Sequence, residues 1–363
     1  MGAMPSGFTA SQRSRIQRSI LVWFRANRRE LPWRANRDAY RIWVAEIMLQ
    51  QTRIAVVGPY YDRFLKTFPS VHTLARARAG DVLRLWAGLG YYSRARNLHR
   101  AARHIVSRHG GIFPRTREEA LALPGIGTYT AAAVLSIAYH VPLAALDGNV
   151  ARVLARLGAV NGDLRATRRW RKLAAMAQQL LVAYAPGDWN QALMELGETI
   201  CTPLVPHCGL CPISRWCAAR RRGLTGKIPV ARRKRAGVQV RIAAAILRDP
   251  HGRTMLVRHP GAHDDVVFSR MWQFPAVEVA HEPAAELRAH LDAVLKSDTG
   301  SFELEPLRTA RHGVTFRNIT LMPFLVRVPE LSKLPRTRIV PLDRLQYIPI
   351  SSATRKIAAA ALS

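Results

Sequence analysis

Cysteine is scarce in this chain of 363 residues: there are four, Cys201, Cys208, Cys211 and Cys217, and none outside that one short stretch. Such a chain is not a disulfide scaffold. With no secretory signal in view, its thiols are to be read in a reducing compartment. Long apolar runs are lacking too. None approaches the ~20 residues that span a bilayer, so no membrane partner is expected. Acids are few, 24 Asp and Glu against 55 Lys and Arg, which leaves a formal charge of +31. An excess of that size attracts and steers a polyanion, without saying whether it is DNA, RNA or an anionic surface. The acid-free, basic start (residues 1–29) superficially resembles a transit peptide. However, Ile16, Ile20, Val22, Trp23 and Phe24 read as the apolar side of a folded helix.

What is present is mostly helical at first. Apolar spacing predicts helices over Ala39–Gln51, Val56–Thr67, Ala79–Leu85, Arg94–His109, Thr128–Tyr139, Asn149–Leu157, Arg168–Tyr184 and Asn190–Ile200. Ala and Leu fill them, so local propensity agrees with the pattern. Residues 225–237 then form a basic linker, and the rhythm changes. Val238–Arg248, Arg253–Arg258, Phe302–Arg308 and Ile319–Val328 read as strands, with helices over Pro283–Leu295 and Ser352–Ala361. Two domains are expected: a mainly α domain over residues 8–224 and a smaller α+β domain over residues 238–363.

Four stretches carry chemistry. The cysteines are spaced C-x6-C-x2-C-x5-C, and four thiolates in one short loop fit a metal site better than scattered thiols. Sulfur ligation of that kind suits zinc or an iron–sulfur cluster. Leu123-Pro124-Gly125-Ile126-Gly127 joins two helices. Its glycines permit a tight turn and leave the amides of the second helix open to a phosphate, although a plain turn would read alike. Asp147 precedes the helix that begins near Asn149, where it can serve as an N-cap. Glu46 stands among Ala45, Ile47, Met48 and Leu49, either exposed on a helix or buried and driven towards its neutral form.

Together these stretches resemble the endonuclease III superfamily of DNA glycosylases. The segment LPWRANRDAYRIWVAEIMLQQT (Leu31–Thr52) is the most specific, and over roughly Ile16–Ala218 the likeness is to its MutY family of adenine glycosylases. The resemblance implies a helix–hairpin–helix glycosylase domain in which Cys201, Cys208, Cys211 and Cys217 hold a [4Fe–4S] cluster of structural role. It implies that Gly125 and Gly127 bind one strand through its backbone. It implies that Glu46 protonates adenine, that Asp147 faces the sugar, and that Tyr129 and Asn149 orient the two carboxylates. Family members that also cut the strand carry a lysine in the hairpin. This chain has Thr128 and Tyr129 there, so hydrolysis without strand cleavage is expected. Gln50, Gln51, Thr52 and Tyr91 match loops that enter the duplex, and Arg34 matches a residue of the base pocket.

The same resemblance makes residues 238–363 a Nudix-like domain that inspects the base opposite adenine. Met271-Trp272-Gln273-Phe274-Pro275 and Tyr347-Ile348-Pro349 carry that likeness. Ala285-Glu286-Leu287-Arg288-Ala289-His290 lacks the acidic pair of a working Nudix hydrolase, so the domain reads as a reader. Val314, Thr315 and Phe316 stand where the family has Phe, Ser and His. Thr315 still offers a hydroxyl, and either Arg311, His312 or Arg317 supplies the contact with 8-oxoguanine that the histidine would make, or the preference over guanine is weaker than the family's. The implied partner is duplex DNA carrying adenine opposite 8-oxoguanine or guanine, bound by a monomer in the bacterial cytoplasm, on the nucleoid. Two other readings stand beside it: a mismatch glycosylase for thymine or uracil opposite guanine, and a non-catalytic protein that scans DNA.

Overall fold

A computed structural model describes residues 8–230, 236–258, 271–295, 302–314 and 316–362. The chain divides into two compact units, one of residues 1–77 and 96–233, the other of residues 78–95 and 234–363. The segment 78–95 thus groups with the second unit. Within the basic linker, residues 231–235 lie outside the described residues.

The helices run in order: α1 (Ala10–Asn27), α2 (Ala39–Leu49), α3 (Ile54–Thr67), α4 (Val71–Arg76), α5 (Ala79–Trp86), α6 (Ser93–His109), α7 (Arg117–Ala122), α8 (Thr128–Tyr139), α9 (Gly148–Leu157), α10 (Thr167–Leu180), α11 (Pro186–Thr199) and α12 (Ala218–Arg221). In α1, Ile16, Ile20 and Phe24 recur every fourth residue and are buried, whereas Val22 falls off that stripe and is 60% exposed. Val22 is therefore no part of the apolar side expected from the sequence. Helix α2 is buried along nearly its whole length, from Tyr40 to Met48. It stops at Leu49, short of the expected Gln51, because Gln51 takes a left-handed φ of 57°. Helix α10 ends at Leu180 because Leu181 is extended, and α11 starts early at Pro186, whose ring suits a first turn. The short helix α4 is too brief for periodicity to reveal, while α7 is the first of the two helices that the Leu123–Gly127 turn was expected to join.

The second unit is built on a mixed sheet. Its strands are β1 (Val238–Arg248), β2 (Arg253–Arg258), β3 (Trp272–Gln273), β4 (Ala276–Glu278), β5 (Glu305–Pro306), β6 (Ala310–Val314), β7 (Arg317–Arg327) and β8 (Thr337–Pro341). The spine is the parallel pair β1–β7, in register from Val238–Arg317 to Arg248–Arg327. Alternate residues of β1 feed two separate cores. Val240, Ile242, Ala244 and Ile246 join the core that includes Ala353 and Ile357 of α14 (Ser352–Ala360). Ala243, Ala245 and Leu247 join Leu287 and Leu291 of α13 (Pro283–Leu295). With both faces covered, the central strands read as nearly continuous apolar runs, and the unit has the layered α+β arrangement that the Nudix-like resemblance implied. The expected strand Phe302–Arg308 shrinks to β5, where Pro306 has no amide to extend the ladder. Glu286 accepts hydrogen bonds from the backbone amides of Ala280, His281 and Glu282, so it serves as a helix-start cap.

Candidate active site

Glu46 projects from a helix that has no solvent face to offer it, and its side chain is only 6% exposed. Tyr129, at the second position of α8, donates its hydroxyl to Glu46 Oε2 at 2.8 Å and also lies 3.5 Å from Met194 Sδ. Asp147 caps α9, its Oδ1 accepting from the Val150 amide at 2.7 Å. Two turns of α11 face the same space with Gln191, Met194, Glu195 and Glu198. Helix α11 approaches closely because it carries glycine at two contacts. A Cβ on Gly187 would sit 2.8 Å from Ile137 Cα, and one on Gly197 would sit 2.9 Å from Asn149 Cβ.

The result is one cavity of about 450 Å³ whose wall includes Arg34, Glu46, Gln50, Gln51, Thr52, Tyr129, Asp147 and Asn149. Burial pushes the Glu46 carboxyl up to about 7, and the Asp147 charge adds to the rise. The Tyr129 hydroxyl and Arg34 oppose it. A carboxylic acid near 7 is a proton donor poised for neutral water. Burial also raises Asp147, against the backbone amides of Val150 and Asn149 and the charge of Arg152. The helix start therefore opposes desolvation without overcoming it. Burial, with the charges of Glu46 and Asp147, drives the Tyr129 phenol well above its usual range, so it stays a neutral donor.

Glu195 is a site residue that sequence reasoning missed. Its carboxylate is buried and gripped by Arg29 at 2.6 Å and Arg34 at 2.9 Å. Burial pushes its pKa up, but the two guanidiniums together outweigh that and hold it below the usual carboxylate range. Glu195 thereby fixes Arg34, a pocket residue expected from the sequence, on the wall. The available signal was the spacing of Gln191, Met194, Glu195 and Glu198, which places them along one face of α11.

Gln50 donates to Thr130 Oγ1 at 3.2 Å, while Gln51 is exposed beyond it. In the hairpin turn Gly125 has a φ of +79°, and Gly127 caps α8 without any side-chain hydrogen bond, leaving exposed amides at the helix start. Tyr91 belongs to the second unit, at a left-handed φ of 47° and with its ring 42% exposed. His312 is there as well, on β6, beside an open cavity shared with Gln239, Arg311 and Asn318. The pairing of Val314 with Arg317 puts Phe316 in the turn of the β6–β7 hairpin. Thr315 lies outside the described residues.

The four cysteines are free thiols of intermediate burial, and three of them pack on the core of the first unit. Burial pushes Cys211 up to about 12, and the charges of the other three thiols push it in the same direction. Among the described residues, no three His, Cys, Asp or Glu donors are arranged to grip a single ion. The loop is pinned by Arg156, which is 2% exposed and donates to the carbonyls of Thr202, Pro203 and Ile228 and to Cys201 Sγ. One turn earlier, Arg152 donates both to the Cys201 carbonyl and to Asn149 Oδ1, joining the loop to the cavity wall.

A helix–hairpin–helix turn opening on a cavity with a buried acid and a helix-capping carboxyl defines a class of DNA-repair protein. The profile of the HhH-GPD superfamily of base excision DNA repair proteins matches residues 44–179, and the chain belongs to that superfamily. Within it, the chain is similar to the adenine DNA glycosylases. It is 46% identical over 213 residues to that of Homo sapiens, a match covering 56% of this chain and 39% of the relative. It is 32% identical over 337 residues to that of Arabidopsis thaliana, covering 82% of this chain and 53% of the relative. A solved thermostable thymine-DNA glycosylase superposes with a TM-score of 0.54 at 30% identity, over 58% of this chain and 98% of that one. The matched region amounts to about two-fifths of the mammalian relatives' own length, 39% of the human one.

Proposed function

We propose that the protein is a monofunctional DNA glycosylase that hydrolyses the N-glycosidic bond of adenine placed opposite 8-oxoguanine or guanine. The observation that carries this reading is Glu46, buried, raised to about 7 and aimed by Tyr129 into a cavity that also holds Asp147. Adenine leaves poorly as an anion. Glu46 gives its proton to N7 as the C1′–N9 bond breaks, and the bonding pair stays on N9, so adenine leaves as a neutral base. Asp147 faces the positive sugar that remains. Water then adds to C1′ and returns a proton to the Glu46 carboxylate, giving free adenine and an abasic sugar. General acid catalysis of this kind supplies about 100- to 10,000-fold. Thr128 and Tyr129 occupy the start of α8, and neither offers an amine to attack the sugar.

The donor set Cys201, Cys208, Cys211 and Cys217, with a guanidinium directed at one of its sulfurs, suits a [4Fe–4S] cluster of structural role. Bound there, the cluster would cross-link a loop that buries Ile213 and Trp216 but leaves Leu204, Val205 and Leu210 exposed. The exposed amides after Gly127 suit a DNA phosphate. The β6–β7 hairpin is our candidate reader of the opposite base, with His312 supplying the polar contact and Phe316 in place of a hydrogen-bonding side chain. A weakened preference for 8-oxoguanine over guanine follows. The setting is the cytoplasm, on the nucleoid, with the protein acting as a monomer.

The test is single-turnover base release from duplexes carrying A opposite 8-oxoguanine, A opposite G, T opposite G and U opposite G. Release of adenine alone is expected, with little adduct trapped by borohydride. Preferential release of thymine would move the protein to the mismatch glycosylases, and no release at all would leave a scanning protein. H312A is expected to narrow the 8-oxoguanine preference about two- to tenfold, the worth of one net hydrogen bond. An unchanged preference would remove His312 from the reading.

A further inference from the structure

Four arginines line a second concavity of the first unit, three of them absent from the wall of the catalytic cavity. It is a cavity of about 250 Å³, lined by Arg25 and Arg28 at the end of α1, Arg37 before α2, His140 after α8 and Tyr184 before α11. Among the described residues, none of Arg25, Arg28 and Arg37 takes part in an ion pair, and the one acid on the wall is Asp188. Arg37 Nη1 is hydrogen-bonded to His140 Nε2, which directs it. His140 is itself set by a left-handed φ of 61° at the end of α8. Tyr184 stands beside them with its side chain 80% exposed. This cavity is distinct from the catalytic one: Arg34, Ile137 and Gln191 line both, so they form the partition, and Glu46, Tyr129 and Asp147 line only the other.

Gathering cations from separate segments around one hollow with a single acid costs Coulomb energy that an anion returns. Guanidinium forks match the oxygens of a phosphate better than those of a spherical ion. An uncovered tyrosine ring beside such a cluster suits a stacked base. We propose that this cavity binds the phosphate of a nucleotide among Arg25, Arg28 and Arg37, with the base stacked on Tyr184. The phosphate comes from a free nucleotide or from a DNA strand. This proposal does not depend on the glycosylase assignment, because no residue unique to the catalytic cavity enters it.

Calorimetric titration of the full chain at low salt, with inorganic phosphate, uridine 5′-monophosphate and a short duplex, tests the proposal and separates the sources. For a free nucleotide, the monophosphate binds more tightly than inorganic phosphate, and R25Q/R28Q or R37Q weakens both at least tenfold. Y184A then removes the advantage of the monophosphate alone, and base release stays at the wild-type rate. For a DNA strand, neither small ligand binds, and R25Q/R28Q makes the slope of log duplex affinity against log salt shallower by about 2. The proposal is overturned if the arginine variants, shown to be folded by their melting curves, leave both small-ligand affinities and the duplex slope unchanged.

Discussion

At the scale of single residues, Glu46 shows how burial converts an ordinary side chain into a reagent. Its carboxyl rises from 4.5 to about 7 because its helix gives it no route to water, and Tyr129 limits the rise without reversing it. The sign of the pH effect follows. A folded pKa above the unfolded one means that the protonated acid favours the fold. This contribution is full below about 4.5 and is lost as pH rises towards and through 7. E46Q is neutral at every pH and keeps an oxygen for the Tyr129 hydroxyl. It is expected to melt above wild type at pH 8, by up to about 3 kcal/mol in stability, and to approach wild type at pH 5. The same variant should lose 100- to 10,000-fold in single-turnover base release, and wild-type release should decline as pH rises past 7. A melting difference that does not change with pH would show that Glu46 is not the buried acid described. Sequence alone left both fates of Glu46 open, since a glutamate on an apolar helix reads the same whether it faces solvent or core.

At the scale of elements, the hairpin separates two glycines that look alike in sequence. Gly125 has a φ of +79°, and a Cβ there would lie 2.6 Å from Asn97 Cβ, whereas nothing lies within 4 Å of a Cβ on Gly127. G125A should therefore cost stability, about 1–3 kcal/mol for a strained left-handed site. G127A should leave the melting temperature near wild type yet weaken duplex binding, because its methyl would stand where a phosphate approaches the amides. Equal melting temperatures for the two would contradict the turn geometry. The cysteine loop is the other element with a distinct signature. It is tied by Arg156 to Cys201 and by Arg152 to Asn149. The purified chain should be yellow-brown with about four irons. C208S should lower iron content and soluble yield more than it alters base release from the protein that remains. A colourless wild type holding one zinc would refute the cluster.

At the scale of the whole molecule, charge dominates. With a formal charge of +31, association with DNA should be driven largely by counterion release. If 6 to 10 phosphates are engaged, duplex affinity should fall about 10³- to 10⁵-fold between 50 and 200 mM salt. A fall of less than tenfold would mean that most of the basic surface is merely solvated. The division of labour also belongs to this scale. The proposed chemistry lies wholly in the first unit, while the candidate reader of the opposite base, His312 on β6, lies in the second. Tyr91, expected from the sequence to enter the duplex, groups with the second unit, which the linear order of the domains did not suggest.

Sequence by itself determined what is local. Long helices such as Thr128–Tyr139, the strands β1 and β2, the punctuation of the hairpin and the grouping of four cysteines follow from propensity, period and spacing. These act over a few residues at a time. The short helix α4 and the strands β4, β6 and β8 escaped because they hold too few residues to show a period. Tertiary structure alone decided the rest. Residues 150 or more positions apart meet at Glu195, where Arg29 and Arg34 converge, and no spacing rule reaches across that distance. Burial, which sets the acidity of Glu46, is likewise a property of everything packed around α2. The chain wrote the helix that carries Glu46, and the packing of its neighbours made that glutamate an acid near pH 7.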